Sequence, residues 1–530
     1  MKNHNKPISK IIVLGGGSSG WISAAYLSKA LNNVSITVIE SENIGRIGVG
    51  EATIPSIKNE LFDFLEIPEE EWMPKTQGSY KIGIKYANWR KSRNENPNDY
   101  FYHPFGEVPL CTDIPLSSVW NLNQTLSPDK IKSYEYSCFI APYICDKNLS
   151  PKYLNGKKAV HHAYHFDAPL VADFLAEWSM KRGVNQIRDN INDVKLNSNG
   201  SITKLVGSKG TEYEADFFID CTGFASVLLE KALKEPFVSF SENLLTDSAV
   251  AVNIPYTEEN TEIKPYTTAT ALSSGWVWEI PLQTRSGNGY VYSSQFLSPE
   301  QAEKELRDYF GESVKNVTMR HIKFKSGRHE RAWVKNCVGI GLSSAFLEPL
   351  ESTGIHFVYA ALRQFIKYFP DKSNSSVLQD KFNERMNYMV DEVRDFIVLH
   401  FCTSPREDTP FWKANKYDIK VPRSLQEVFN LHKEGLPFRQ SYKGNLDSRF
   451  DRFWTYSNYI AILLGVGRYP EKTQPLLSHR PDVIDLAKDM FSKIQTDASE
   501  AIDALPSHTE YLNALKLDSQ VSKEKIVVEV

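Results

Sequence analysis

The chain has 530 residues, a formal net charge of -4, and 41% hydrophobic and 24% charged residues. This length exceeds what a single hydrophobic core usually supports, so two packed lobes or a large domain with insertions are expected, with room for a buried cofactor. The nearly balanced charge gives no electrostatic reason to expect a nucleic-acid partner.

Cysteine spacing and hydropathy exclude further classes. The six cysteines form no CxxC pair and show no zinc-ligand spacing, so no metal site is expected, and reduced thiols fit a cytoplasmic protein. The N-terminal residues lack the apolar region and cleavage site of a signal peptide. No apolar run reaches the roughly 18 residues of a membrane span, so no membrane partner is expected.

The first elements predict a βαβ unit. The run Ile11 to Leu14 predicts a strand, WISAAYLSKAL has the apolar spacing of a helix, and SITVIE predicts a second strand. Gly15, Gly17 and Gly20 form GxGxxG between strand and helix, where glycine permits a tight turn and close approach to a pyrophosphate. Glu40 ends the second strand, where an acid that binds a ribose hydroxyl is expected. The pattern predicts a dinucleotide site, with a purely structural glycine turn as the alternative, and leaves FAD and NAD both open.

Alternation from Ser79 to Tyr86 predicts one strand that carries Lys81 and Lys85 on the same face. Further on, ADFFIDCTGF and NCVGIGLSSAF predict buried strands that end in glycine turns. After Gly354 the apolar spacing predicts two helices, one from Ile355 to Tyr368 and a second before Pro405. We expect strands before residue 350 and helices after it, which indicates an α/β nucleotide-binding core with a mainly helical C-terminal lobe.

Six motifs follow one another along the chain. In their order and from end to end, they resemble the flavin-dependent tryptophan halogenases. The WxWxIP pattern inside the fifth motif separates that family from flavin hydroxylases. The motifs are GGGSSGW (15–21), GVGEATIP (48–55), FYHPFG (101–106), YHFDA (164–168), GWVWEIP (275–281) and EPLESTGI (348–355).

The resemblance implies a Rossmann-like core of the flavin monooxygenase type. We expect residues 1–360 to form this FAD-binding core, with 61–154 contributing the strand that carries the catalytic lysine and the substrate loops. Residues 361–515 are expected to form a helical substrate-binding lobe packed on the core, and 516–530 a loose tail.

The resemblance also implies the chemistry. FAD, used as FADH2, reacts with O2 and a halide ion (chloride, bromide or iodide) to give hypohalous acid, which passes through an internal tunnel to a lysine. That lysine corresponds to Lys81, which then delivers electrophilic halogen to a small aromatic substrate. No second dinucleotide motif is visible, so a separate flavin reductase is expected to supply FADH2. The sequence leaves open whether chains assemble into a homo-oligomer.

The resemblance assigns the remaining roles by position. Glu351 matches the second catalytic residue, which acts on the proton of the ring or on the halogenating species. The halide contacts correspond to Thr353 and Gly354, where free backbone N–H groups at a helix start suit an anion. Flavin contacts correspond to Gly15, Gly17, Ser18, Ser19, Gly20, Glu40, Gly48, Val49, Gly50, Glu51, Ala52, Leu342 and Ile355.

The substrate pocket follows the family only in part. His103, Phe105 and Trp454 match the side chains that sandwich the substrate ring, with core packing as the alternative for the last two. Glu351, Ser352 and Tyr442 are further predicted substrate contacts.

The departure lies in SYKGNLDSRFDRFW. Lys443 stands where a second tyrosine is expected, and Arg449 stands where a glutamate is expected. Two cations would repel the ammonium of free tryptophan, so an indole-like or phenolic substrate is expected. A register error of one residue is the alternative, in which case Asp447 or Asp451 supplies the carboxylate. Three rival functions stay open: a tryptophan halogenase proper, a flavin-dependent aromatic hydroxylase and a non-catalytic flavin-binding protein.

Overall fold

The computed structural model describes residues 6–45, 48–257, 262–438 and 454–517. The chain divides into two compact units, each built from segments that are distant in sequence. The first unit comprises Met1–Gly78, Phe166–Ser241 and Phe324–Asp391, and the second comprises Ser79–His165, Glu242–Lys323 and Glu392–Val530. The predicted domains, divided at residues 360 and 515, are continuous in sequence, whereas each of these units consists of three segments. The predicted division stays a prediction.

A six-stranded sheet forms the centre of the first unit. Its first five strands are parallel and the last is antiparallel. The last three strands of the parallel part are almost wholly buried, as expected for a sheet covered on both faces. In spatial order the strands are Asn185–Arg188, Ser35–Glu40, Lys10–Leu14, Phe217–Asp220, Cys337–Gly339 and Trp333–Val334.

Helices cover this sheet, and two of them pack on the first helix of the chain. Ser18–Ala30 packs against Ala168–Met180 and Gly354–Lys367. Asp167 caps helix Ala168–Met180 by accepting a hydrogen bond from the N–H of Leu170. The other regular elements of this unit are Glu51–Ala52, Lys58–Phe62, Glu69–Trp72, Ile191–Leu196, Ile202–Gly207, Glu212–Glu214, Gly223–Ala225, Val227–Ala232, Phe237–Ser239, Gly327–His329, Gly341–Ser343, Ala345–Phe346 and Pro349–Glu351.

A seven-stranded mixed sheet forms the centre of the second unit. The WxWxIP motif lies on Gly275–Pro281, one of its inner strands, and both tryptophans are buried. Gly289 on the neighbouring strand leaves room for Trp278, because a Cβ there would lie 2.2 Å from the indole. In spatial order the strands are Arg320–Lys323, Ser248–Pro255, Arg285–Tyr292, Gly275–Pro281, Thr267–Ala271, Gly83–Ala87 and Tyr100–Pro104.

The remaining elements of the second unit are mostly helices. Ser376–Thr403 begins in the first unit and ends in the second. After Phe346 the described residues form no further strand, as the sequence predicts. The elements are Ser79–Lys81, Leu110–Cys111, Ile114–Pro115, Leu116–Leu126, Pro128–Lys130, Tyr134–Cys138, Ala141–Asp146, Ala163–Phe166, Pro299–Phe310, Gly311–Val314, Pro410–Tyr417, Arg423–Lys433, Tyr456–Gly465, Pro475–His479, Pro481–Ala504 and helix 508–517.

The α/β fold class is confirmed, and one predicted element is wrong. The stretch predicted as a single strand from Ser79 to Tyr86 is two strands, because the backbone leaves one sheet at Ile82 and enters another. Ser79–Lys81 pairs with Ala163–Phe166, whereas Gly83–Ala87 joins the seven-stranded sheet. The alternation of apolar residues in the sequence continues across this break, so periodicity alone does not reveal it.

Two further expectations concern the whole chain. None of the helices among the described residues is long and apolar enough to cross a bilayer. All six cysteines are free thiols, and all lie in the described part of the chain. The tail from residue 518 onward, predicted to be loose, lies outside the described residues.

Candidate active site

The three motif glycines in the turn of the first unit have two kinds of environment. Gly15 has φ +114°, and a Cβ there would lie 2.3 Å from the carbonyl oxygen of Cys221. A Cβ on Gly20 would lie 1.8 Å from the carbonyl oxygen of Gly15, so this glycine lets the helix approach the strand. Gly17 differs, because its Cβ would meet no described atom within 4 Å. Two glycines are therefore required by the fold, while Gly17 faces open space.

Glu40 lies against the same turn. A Cβ on Gly16 would lie 1.6 Å from the Oε2 atom of Glu40, so a residue outside the GxGxxG pattern is also restricted to glycine. Gln186 donates a hydrogen bond to the other carboxylate oxygen. The helix begins at Ser18 without a side-chain cap on Gly17, so its first N–H groups are directed toward the turn. The arrangement joins an acid and a helix N-terminus, as a dinucleotide site requires.

Asp220 supports the loop after the fourth parallel strand, a role that the sequence did not reveal. This buried carboxylate accepts hydrogen bonds from the hydroxyl and N–H of Thr222 at 2.6 and 3.0 Å. It also accepts from the N–H groups of Leu228 and Leu229 at 2.7 and 2.9 Å. The loop beside the glycine turn is thereby fixed by four hydrogen bonds.

The GVGEATIP segment is packed as tightly as the glycine turn. A Cβ on Gly48 would lie 2.2 Å from Cδ of Pro169, and Gly50 has φ +93°. Both glycines thus have a structural reason in addition to the predicted contact with a ring. Burial raises the pKa of Glu51 to about 7. Beyond the motif, the hydroxyls of Ser56 and Tyr359 are 2.8 Å apart, which ties this segment to helix Gly354–Lys367.

The start of that helix carries the predicted halide and acid residues. Glu351 is buried and ends a short 3-10 turn, and Ser352 has the left-handed conformation with φ +59°. Thr353 occupies the N-cap position, but its hydroxyl caps nothing and has no hydrogen-bond partner among the described residues, although it is buried. Gly354 is exposed and its Cβ would meet nothing within 4 Å. The arrangement leaves donors at a helix N-terminus beside a buried carboxyl.

Two further predicted flavin contacts lie near this helix. Leu342 is partly buried in the 3-10 turn Gly341–Ser343, and Ile355 is buried in the first turn of the helix. A Cβ on Gly341 would lie 2.4 Å from Oγ of Ser19, so this turn packs directly on the start of the glycine-motif helix. All predicted flavin and halide residues thus belong to the first unit.

Lys81 lies in the second unit and is fully buried. Its Nζ atom is 5.1 Å from the centre of the Phe105 ring. The N–H of Phe105 donates to the carbonyl of Ile82 at 3.0 Å, which fixes this ring beside the lysine. The structure therefore places a predicted substrate residue against the predicted catalytic amine.

Lys85 has a different environment. Its Nζ atom is 3.8 Å from the ring centre of Tyr100 and within 6 Å of the rings of Tyr102 and Tyr266. Burial lowers the pKa of Lys85, while the charge of Asp146 opposes this shift. An ammonium enclosed by tyrosine rings is stabilised by cation–π attraction, which gives Lys85 a structural role.

The other two predicted sandwich residues meet around Phe396. The rings of His103 and Trp454 are 6.4 Å apart, and Phe396 lies 6.0 Å from the first and 4.2 Å from the second. Asn458 lies 3.2 Å from Nε2 of His103 and also caps the helix that follows Trp454. The sequence placed Phe396 only in the apolar face of a helix, because nothing local shows that this face meets an aromatic pair.

Three predicted substrate residues, Tyr442, Lys443 and Arg449, lie outside the described residues. The structure therefore groups the predicted site residues by unit. The glycine turn, Glu40 and the Glu351 turn belong to the first unit. Lys81 and the aromatic residues belong to the second. The roles of all these residues stay predictions.

These features define an α/β protein with a glycine turn of the kind found in dinucleotide-binding proteins and with a buried lysine beside an aromatic ring. The chain matches the profile of the family described as tryptophan halogenase over residues 10–482. The chain therefore belongs to the tryptophan halogenase family, whose members are flavin-dependent halogenases of the oxidoreductase type. The predicted family is confirmed.

Individual relatives agree over nearly the whole length. The chain is 41% identical to tryptophan 7-halogenase RebH of Lentzea aerocolonigenes over 522 residues, which cover 95% of this chain and 98% of that protein. It is 39% identical to tryptophan 6-halogenase ThaL of Streptomyces albogriseolus over 525 residues, with coverage of 96% and 98%. The crystal structure of tryptophan 6-halogenase SttH from Streptomyces toxytricini is similar at a TM-score of 0.88 and 39% identity, covering 96% of this chain and 100% of that one.

Proposed function

We propose that this protein uses FADH2, O2 and a halide ion to make hypohalous acid, and that Lys81 transfers the halogen to an electron-rich aromatic ring. The observation that carries the proposal is the full burial of Lys81 beside Phe105. Burial disfavours the charged form of an amine, and titratable groups perturbed in this way cluster at functional sites. Membership of a halogenase family gives such a site a chemical class.

The first unit fits a flavin dinucleotide. The open space at Gly17 is where the pyrophosphate would approach the backbone, and the N–H groups of the following helix turn would bind it. Glu40 would hold the ribose hydroxyls from the end of its strand. When bound in its reduced form, the flavin supplies the two electrons with which O2 and halide become hypohalous acid and water.

The halide would bind at the start of helix Gly354–Lys367. The hydroxyl of Thr353 is buried without a hydrogen-bond partner in the described residues, and an ion there would satisfy it. The backbone N–H groups of this helix start add further donors. Such donors can bind chloride, bromide and iodide alike, so the proposal is for a halide ion and not for one element.

Lys81 would act on hypohalous acid in one of two ways. As an ammonium it donates a hydrogen bond to the acid and makes the halogen more electrophilic. As an amine it takes the halogen and releases water, then passes the halogen to the ring and regains a proton. In both cases the ring loses a proton, and Glu351 is the carboxylate proposed to accept it.

The proposed substrate is a small electron-rich aromatic compound. Aromatic side chains around Phe396 would stack on a flat ring and fix which carbon faces Lys81. The cations Lys443 and Arg449 favour an indole-like or phenolic compound without a free amine. Tryptophan itself is the second candidate, because two relatives at 39–41% identity are named as tryptophan halogenases.

The test is halogenation by the purified protein with FAD, a separate NADH-dependent flavin reductase and each halide in turn. The wild type and Lys85→Ala should give a halogenated product, whereas Lys81→Ala should lose about 100-fold or more of this activity. Lys85→Ala is the matched control. Lys85 follows Lys81 closely in the sequence and is also a lysine with restricted exposure, but tyrosine rings enclose it.

Three results would contradict the proposal. One is a Lys81→Ala enzyme that still halogenates. Another is a product that gains oxygen instead of halogen, which would indicate a hydroxylase. The third is the absence of any turnover across a panel of indoles, phenols and tryptophan. In the same panel, a higher kcat/KM for tryptophan than for indole would decide for the second substrate candidate.

A further inference from the structure

The strand Ser79–Lys81, called the lysine strand here, is held on its side chains and backbone by two buried histidines. We propose that His165 and His508 are positioning residues for Lys81, which hold the lysine strand through the hydrogen bonds of their neutral imidazoles. The proposal rests on the proposed function of Lys81. It adds two residues that act through hydrogen bonds to Ser79 and Tyr80.

His165 is bonded through both ring nitrogens. The hydroxyl of Ser79 donates its single proton to the carbonyl of Pro281 at 2.5 Å, so its oxygen accepts from Nδ1 of His165 at 3.1 Å. The other nitrogen, Nε2, accepts a hydrogen bond from the hydroxyl of Thr267 at 2.9 Å. The partners therefore require a proton on Nδ1, and Nε2 is the acceptor when the ring is neutral.

His508 is bonded in the same sense. Its Nδ1 donates to the carbonyl of Ile263 at 2.9 Å, since a carbonyl can only accept. Its Nε2 accepts from the backbone N–H of Tyr80, the neighbour of Lys81, at 3.1 Å. A side chain thus takes a hydrogen bond that a neighbouring strand would otherwise provide.

The chain anchors His508 firmly at this point. Its own N–H donates to the carbonyl of Asn148 at 2.8 Å. The hydroxyl of Thr509 accepts from the N–H of Ile263 at 3.1 Å. The start of helix 508–517 is therefore fixed on the loop that carries Ile263, and His508 transmits this position to the lysine strand.

Both rings are kept neutral by their surroundings. Burial holds the pKa of His165 well below its usual range, and the nearby ammonium of Lys81 lowers it further. Burial likewise lowers the pKa of His508 to about 4, against the opposing hydrogen bond to Ile263. A protonated His508 would direct an N–H at the N–H of Tyr80 and lose this hydrogen bond, whereas protonation of His165 would reverse the direction of its bond with Thr267.

Position matters for Lys81 because the halogen must pass from an amine to one carbon of a stacked ring. A displacement of about 1 Å can reduce such a transfer about 100-fold. Formation of hypohalous acid depends on the flavin residues, which lie in the other unit. A loosened lysine strand should therefore leave hypohalous acid formation intact and reduce its delivery.

The test compares His508→Leu with His508→Gln. Leucine fills similar space but cannot accept from Tyr80, whereas glutamine retains an acceptor. The assay contains FAD, a flavin reductase, halide and the best substrate, and it measures both the aromatic product and the hypohalous acid that escapes to a β-diketone scavenger. His508→Leu should give about 10- to 100-fold less aromatic product at an unchanged total of active halogen, and glutamine should restore most of it.

His432→Leu is the control for stability. His432 is another buried histidine of the second unit whose ring bonds to a backbone carbonyl, that of Arg468 at 2.7 Å. It should lower the melting temperature like His508→Leu without changing the share of escaped hypohalous acid. A milder variant, Thr267→Val, removes one bond to His165 at constant shape and should raise this share several-fold.

The outcomes separate the two proposals. If Lys81→Ala still halogenates, the proposed function of Lys81 fails. If Lys81→Ala is inactive while His508→Leu and Thr267→Val keep the wild-type share, only the positioning role is overturned. A parallel loss of product and of total active halogen in His508→Leu would also overturn it, as would His508→Gln behaving like leucine. Should His508→Leu not fold, the result for Thr267→Val decides.

Discussion

Two glycines of the GxGxxG turn should respond in opposite ways to the same added methyl group. Gly17→Ala places a Cβ where no described atom lies within 4 Å. Gly20→Ala places a Cβ 1.8 Å from the carbonyl oxygen of Gly15. The first change should affect the ligand and leave the fold intact, and the second should affect the fold.

The magnitudes follow from these distances. Alanine in place of glycine at a helix N-cap costs about 1 kcal/mol, and reduced freedom of the unfolded chain returns about 0.4–1 kcal/mol. For Gly17→Ala these effects nearly cancel. For Gly20→Ala, a clash with backbone lies at the upper end of the roughly 1–3 kcal/mol range of overpacking. This exceeds the gain of about 1 kcal/mol for alanine within a helix.

Ligand binding should show the reverse order. A methyl group in the space proposed for the pyrophosphate should cost about 1–3 kcal/mol, as in an overpacked core. This corresponds to FAD affinity reduced about 5- to 150-fold for Gly17→Ala. Gly20→Ala should instead lower the melting temperature by about 2 °C for a loss near 2 kcal/mol, because the entropy of unfolding grows with chain length.

The assay titrates FAD into each purified variant by flavin fluorescence and records thermal unfolding without FAD. Wild-type FAD affinity in Gly17→Ala would refute the placement of the pyrophosphate at the open glycine. A melting temperature of Gly20→Ala at or above that of the wild type would refute the steric argument for the turn.

Three further changes test single side chains. Thr353→Val should raise the KM for halide several-fold, yet stabilise the fold by up to about 1 kcal/mol in urea unfolding, because a buried hydroxyl without a partner is costly; a destabilised variant with unchanged KM would contradict this. Asp220→Asn should lower the free energy of unfolding by about 2–4 kcal/mol, because the NH2 group of asparagine would face either the two donors of Thr222 or the N–H groups of Leu228 and Leu229. A wild-type urea midpoint would contradict this. Glu51→Gln should stabilise the FAD-free protein above pH 7 and change nothing near pH 4, because a carboxyl with a pKa raised from 4.5 to about 7 keeps its proton in the folded state while the unfolded state loses it. Wild-type stability therefore falls between these pH values, by at most about 3 kcal/mol, and an equal urea midpoint of both proteins at pH 8 would exclude this ionisation.

Local patterns sufficed for the nucleotide unit. A strand, a glycine turn and a helix are adjacent in the chain, so the spacing of Gly15, Gly17 and Gly20 already predicts their geometry. The need for glycine at position 16 was beyond such a pattern. It arises from the carboxylate of Glu40, which reaches the turn only after two strands have paired.

The same limit explains why the prediction of a single strand from Ser79 to Tyr86 is wrong. Alternation from Ser79 to Tyr86 correctly indicates extended backbone, but period two is the same whether a strand stays in one sheet or crosses to another at Ile82. The aromatic group shows a related gap. Phe396 was predictable as a buried helix residue, whereas its contact with Trp454 depends on a meeting of distant helices.

Hydrogen bonds in the second unit suggest what two family motifs without a reactive group, GWVWEIP and YHFDA, contribute to the structure. Ser79 binds the carbonyl of Pro281, the last residue of GWVWEIP, and it binds the imidazole of His165 from YHFDA. These motifs and the lysine strand are thus joined by consecutive hydrogen bonds. A substitution of His165 would remove one hydrogen bond that holds the lysine strand. The motifs therefore belong with Lys81 as one structural device, because a reactive amine is useful only where its position is fixed.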